Sequence, residues 1–246
     1  MAADITAKST LVAALMTLAT PTIAQEGFTF VEANILNIFY HELGHAVVHT
    51  EEVPIFGQEE DAADVFAIFL TDALFEEPTA RTLAMDAVLG YAAEAMDNQG
   101  AEVAWWDTHG PDEQRSYNTA CLFYGADPDA RADFAASIDL PEERAESCAE
   151  EYDQASASWG GVLDEMAEAT GRPALGFVGA DASLTAEILA EEVRQLNEQL
   201  RLAAPVTVSL ESCGEANAFY DPEAYRITFC TEFEDHLRHL ERVLAQ

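Results

Sequence analysis

Along most of the chain apolar residues recur at helical spacing, and the departures gather towards its end. Over 31–50, Leu36, Phe39, Leu43, Ala46 and Val47 fall on one side of a helix and His41 and His45 on the other. The turn residues of 51–57, among them Pro54 and Gly57, end that segment. Further helices are predicted over 59–75, 82–96, 112–124, 129–138 and 141–158, each divided from the next by Gly, Asp or Pro. Pro141 suits a first helical turn, where its missing N–H costs nothing. A loop rich in aromatic and polar groups, 105–111, separates the third helix from the fourth.

The last third changes character. A long amphipathic helix is predicted over 184–202; 206–210 and 225–229 then alternate like strands, with 217–222 as the turn region between them, and a helix over 232–244 closes the chain. The expected class is α+β, mostly helical, with a small C-terminal β-hairpin or sheet. There is no internal repeat and no low-complexity linker, so 25–246 reads as one domain, with 171–181 the candidate hinge.

Residues 1–24 read as an export signal. Lys8 precedes the apolar run 11–19, and Thr22 and Ala24 offer the small side chains a signal peptidase needs, with cleavage after Ala24. No later stretch reaches the roughly 18 consecutive apolar residues of a membrane span, so the processed chain is expected in a secreted or periplasmic location. Its four cysteines, Cys121, Cys148, Cys213 and Cys230, fit two disulfides, and joining sequence neighbours is the simplest of the three connectivities. None forms a Cys-x-x-Cys pair, which leaves a thiolate metal site without support. With 11 basic and 46 acidic residues the formal net charge is −35, and Lys8 is the only lysine. Such a surface repels phosphate backbones and anionic lipid, which argues against nucleic acid and membrane partners.

The chemistry concentrates in His41-Glu42-Leu43-Gly44-His45, a His-Glu-x-x-His segment on a predicted helix. Four residues advance a helix by about one turn, so both imidazoles project to one side and can bind one Zn²⁺ at about 2.0–2.1 Å. Glu42 lies about 100° round the helix, placed to reach water at the metal as a base. A catalytic zinc commonly takes a third protein ligand. Glu60, on the next helix, is the expected donor, with Glu59 and Asp64 as substitutes. Asp64, one turn beyond Glu60, would accept a hydrogen bond from the unused ring nitrogen of a ligand histidine. Hydrolysis also needs a donor for the developing oxyanion, and His109, Arg115 and Tyr117 are the candidates in the donor-rich stretch 105–118. His49 lies one turn too far along to share the metal, and His236 and His239 are expected to meet solvent or carboxylates.

In these residues the chain resembles the gluzincin branch of the zincin metallopeptidases, where His-Glu-x-x-His on one helix is followed by Glu-x-x-x-Asp on the next, here Glu60 to Asp64. It departs from the metzincins, having Val48 and Glu51 where their extension carries Gly and His. It is more closely similar to a bacterial metallopeptidase family described as a domain of unknown function, over 39–45, 59–64, 105–124 and 213–230. The resemblance implies a zincin-like core and a zinc-dependent peptidase acting on a peptide or protein. Zincins place their sheet ahead of the active-site helix, and few residues precede 31 here, so the strands near Val206 and Tyr225 are expected to supply it from the far end of the chain. Two rival readings are an exported protein that keeps zinc as a structural staple without hydrolysis, and a zinc amidase acting on cell-wall peptides.

Overall fold

The computed structural model describes residues 28–179 and 182–246. The expected export signal lies outside the described residues. Helices α1 (Phe30–Thr50), α2 (Glu59–Leu74), α3 (Glu77–Asp97), α4 (Asp112–Ala126), α5 (Ala132–Ser137) and α6 (Glu142–Glu168) come first. Strand β1 (Gly176–Val178) and α7 (Leu184–Gln199) follow, then β2 (Thr207–Glu211), β3 (Ala218–Asp221), β4 (Arg226–Cys230) and α8 (Phe233–Leu244). The fold is thus α+β and mostly helical.

Helix α1 opens on a capping box: the Thr29 hydroxyl accepts from the Glu32 backbone N–H while the Glu32 carboxylate accepts from the Thr29 N–H. It packs against α2, α3, α7, α8 and the strands β3 and β4. Its apolar side, with Leu36, Phe39, Leu43 and Val47, is fully buried as the periodicity predicts. The opposite side is buried too: Asn34, Asn37, His41 and Glu42 lie under α2, α3 and α8 rather than in water. Helices α4 and α6 pack on each other and on α2, and the disulfide Cys121–Cys148 ties them. The second disulfide, Cys213–Cys230, joins the β2–β3 connection to the end of β4. Both pairs are those that sequence proximity favours.

Several boundaries differ from expectation. Helix α3 starts five residues earlier, with Pro78 in its first turn, where proline is tolerated. Helix α6 continues to Glu168 rather than ending at 158, because Trp159, Leu163 and Met166 keep burying one face past that point. The described part of the candidate hinge contains β1, paired with β2.

The sheet corrects the hairpin reading. Its order is β1-β2-β4-β3: β2 and β4 run parallel as neighbours, and the antiparallel partner of β4 is β3, from the segment read as a turn. The reversal actually lies in 222–225 and ends at Tyr225, whose φ of 51° is the left-handed turn conformation. Strand β3 is the edge strand that meets α1, where the Tyr220 hydroxyl lies 2.9 Å from His49 Nδ1. The far end of the chain therefore does set its sheet beside the His41 helix.

Candidate metal centre

His41 and His45 occupy successive turns of α1, and α2 crosses that face closely enough to bring Glu60 to both. The crossing depends on Gly44: a Cβ there would stand 3.1 Å from Ala63 Cα and 3.2 Å from Phe66 Cδ1. Both imidazoles turn Nε2 inwards, 3.2 Å apart. Glu60 Oε2 lies 3.2 Å from His41 Nε2 and 3.1 Å from His45 Nε2. Tetrahedral bonds of about 2.0–2.1 Å set ligand atoms about 3.3 Å apart, so these three atoms fit three corners around one Zn²⁺-sized ion.

The outward ring nitrogens are also engaged. His41 Nδ1 is 2.7 Å from Asp64 Oδ1, and His45 Nδ1 is 2.8 Å from Glu59 Oε1. With each Nδ1 donating to a carboxylate, each Nε2 keeps its lone pair for a metal. Asp64 is held in turn: Arg115 donates from Nε to Oδ2 and from Nη2 to Oδ1, each at 2.8 Å, and the Tyr91 hydroxyl donates to Oδ1 at 3.0 Å. The Arg115 guanidinium also lies over the Tyr91 ring.

Four carboxylates, Glu42, Glu59, Glu60 and Asp64, thus surround two imidazoles and one guanidinium, and the balance favours added positive charge. Burial opposes protonation of His41, but hydrogen bonds to Asp64 and Glu60 outweigh it and push its pKa up to about 9. His45 is raised in the same way. Contacts with His109, His41 and His45 hold the Glu60 carboxyl far below the usual range, and the Arg115 and His41 contacts do the same for Asp64 against its burial. Glu42 moves the other way, because burial raises its pKa. Its side chain faces a cavity of ≈ 210 Å³ between α1, α3 and α8 and makes no hydrogen bond with a described residue.

Of the expected oxyanion donors, His109 reaches the cluster, with Nε2 3.0 Å from Glu60 Oε2 on its open side. Its loop position is fixed by its backbone N–H donating to Asp107 Oδ1. Arg115 is committed to Asp64. Tyr117 is 44% exposed, about 200° round α4 from Arg115, and takes no part in the network. His49 faces Tyr220 and Tyr225, while His236 and His239 pair with Glu94 and Asp97. Sequence reasoning missed Tyr91, a buried position of α3 without any motif, and treated Glu59 as a substitute ligand where the structure sets it on the far nitrogen of His45.

Among the described residues no helix is long and apolar enough to cross a membrane. The family model DUF4344, described as “Putative metallopeptidase”, matches residues 8–163 and 181–243. No curated protein and no solved structure matches the chain significantly.

Proposed function

Because the chain belongs to the DUF4344 family, “Putative metallopeptidase”, we propose that it is a zinc-dependent peptidase in which His41, His45 and Glu60 hold the ion and Glu42 is the general base. One observation carries the reading: Nε2, Nε2 and Oε2 of the three ligands converge to 3.1–3.2 Å beside Glu42, a mostly buried residue that makes no hydrogen bond with a described residue. Zinc held there would supply the Lewis acidity that polarises a peptide carbonyl and lowers the pKa of water.

The remaining work falls to side chains of this chain. Glu42 takes a proton from the attacking water as its oxygen bonds to the carbonyl carbon, then delivers that proton to the amide nitrogen as the C–N bond breaks. His109, from the open side, donates a hydrogen bond to the carbonyl oxygen as it gains charge. Asp64 and Glu59 fix both imidazole rings, and Arg115 with Tyr91 fixes Asp64. We assign the activity to one domain spanning 25–246 and to a secreted or periplasmic setting, with which two disulfides are compatible.

The test combines metal analysis of the purified chain with cleavage of a peptide library, with and without chelator. One zinc per chain, and cleavage lost on chelation and restored by zinc, is the expected result. Tightly held zinc without any cleavage would instead favour a structural staple, and absence of bound metal would reject the reading.

A further inference from the structure

The loop 98–111, which carries His109 to Glu60, also carries Trp105 and Trp106, adjacent in sequence and 78% and 81% exposed. Tryptophan is rarely left so open, and an exposed aromatic pair marks a contact surface. Trp106 and Trp105 stand three and four residues from His109, so their Cα atoms lie within about 14 Å of its own. Phe56, 99% exposed, sits four residues ahead of Glu60. Exposed aromatic side chains therefore stand on the loop that carries His109 and on the segment that leads into Glu60.

The charge around these rings has one sign. Glu102, Asp107 and Glu113 are exposed on the loop and the start of α4, as are Glu59 and Asp61 at the start of α2. The cavity beside Glu42 is smaller than the roughly 300 Å³ at which small-molecule pockets begin, which suits a single side chain. Ile38, Leu237 and Leu240 give it apolar walls, and Glu42, Asp112 and Glu94, the last already paired with His236, bring carboxylates. The basic side chains beside it are already engaged, His41 and His109 with Glu60 and Arg115 with Asp64. Glu42, which makes no hydrogen bond with a described residue, lines this space.

We infer that the substrate is a cationic polypeptide: its basic and apolar side chains lie across Trp105 and Trp106, and one lysine or arginine side chain enters the cavity between α1, α3 and α8. The inference rests on the peptidase reading and narrows its substrate class. Aromatic faces bordered by carboxylates attract ammonium and guanidinium groups, and an apolar-walled slot with acidic groups accommodates the long stem beneath such a head. The net charge of −35 draws the same substrates to the site over a longer range, with a pull that salt weakens.

The test uses three peptides of equal length that differ only in carrying lysine and arginine, serine, or glutamate and aspartate at their variable positions. Binding is read from the emission of the exposed tryptophans in the full-length wild type immediately after mixing, with buried Trp159 as background, and cleavage is read in the same chain at later times. The basic peptide should bind at least about tenfold more tightly than the acidic one, with the gap closing as ionic strength rises to about 0.5 M. Replacing both rings (Trp105→Ala with Trp106→Ala) should raise KM for the basic peptide more than it lowers kcat, and phenylalanine at both positions should restore much of the loss. Equal binding of basic and acidic peptides, or an unchanged KM in the alanine variant, overturns the inference. So does an emission shift with phosphatidylcholine vesicles and none with the basic peptide. Should the wild type cleave none of the peptides while the basic one still binds selectively, the hydrolytic reading falls and the recognition stands.

Discussion

Gly44 of α1 faces Ala63 of α2 so closely that a Cβ on the glycine would stand 3.1 Å from the Ala63 Cα. That contact sets how deeply α2 approaches, and hence whether Glu60 reaches both Nε2 atoms. Gly44→Val should push the helices apart, cost about 1–3 kcal/mol of stability, and lower zinc affinity more than a surface substitution of equal destabilisation. Thermal unfolding beside a chelator-competition titration measures both.

Asp64 and Glu59 do the same job for different rings under different solvation. Asp64 is nearly buried and tied to Arg115, whereas the Glu59 side chain is 49% exposed. Asp64→Ala should weaken zinc binding about 10–100-fold and, by leaving Arg115 buried without its partner, destabilise the fold by about 3–5 kcal/mol. Glu59→Ala should have a smaller effect on affinity and little on unfolding. Equal effects at the two positions would show that burial does not govern ring anchoring here.

Removing the proposed base and removing a proposed ligand should separate cleanly. Glu42→Gln is expected to keep zinc while kcat falls at least about 10²–10⁴-fold, and Glu60→Ala to lose most of the metal. His109→Ala should lower kcat about 10²-fold with zinc retained, while Tyr117→Phe, on the far side of α4, should match the wild type. Metal content and single-substrate kinetics on the same preparations decide among these outcomes.

Behind the centre, the Tyr40 hydroxyl donates to Glu192 Oε1 at 2.7 Å in a buried contact between α1 and α7. Burial raises the Glu192 pKa from its ordinary 4.5 to about 7. Between these values the folded chain holds a proton that the unfolded chain has released, so this group's contribution to stability is full below pH 4.5, falls as pH rises, and is gone above about 7. Glu192→Gln keeps an acceptor for Tyr40 without the charge. Its stability relative to wild type should therefore rise from pH 5 to pH 8 by on the order of 3 kcal/mol, measured by urea unfolding at both pH values.

Reduction should cost most where a disulfide closes the longer loop. Cys121–Cys148 spans 27 residues and Cys213–Cys230 spans 17, and loop entropy assigns each about 3–4 kcal/mol. Paired Cys→Ser variants, compared by denaturant midpoint, test the two contributions separately.

Much of this protein was legible along the chain. Helical spacing located α1, α2, α4, α7 and α8, and the i, i+4 separations of His41 with His45 and of Glu60 with Asp64 told which side chains share a helix face. Such features are local: a backbone hydrogen-bonded every fourth residue fixes them whatever the rest of the fold does. Tyr91 carried no signal, because a buried tyrosine in an apolar pattern reads the same whether it fills core or anchors a carboxylate.

What the sequence by itself determined is the inventory: two imidazoles and a carboxylate on one helix, acids on the next, four pairable cysteines, and an excess of acidic residues. Only the tertiary structure decided how these meet. The approach of α2 over Gly44, the buried polar side of α1, the pairing of Arg115 with Asp64, and the parallel placement of β4 between β2 and β3 each depend on which surfaces cover one another. That choice is made by the packing of segments far apart in the chain, and no spacing within a single element encodes it.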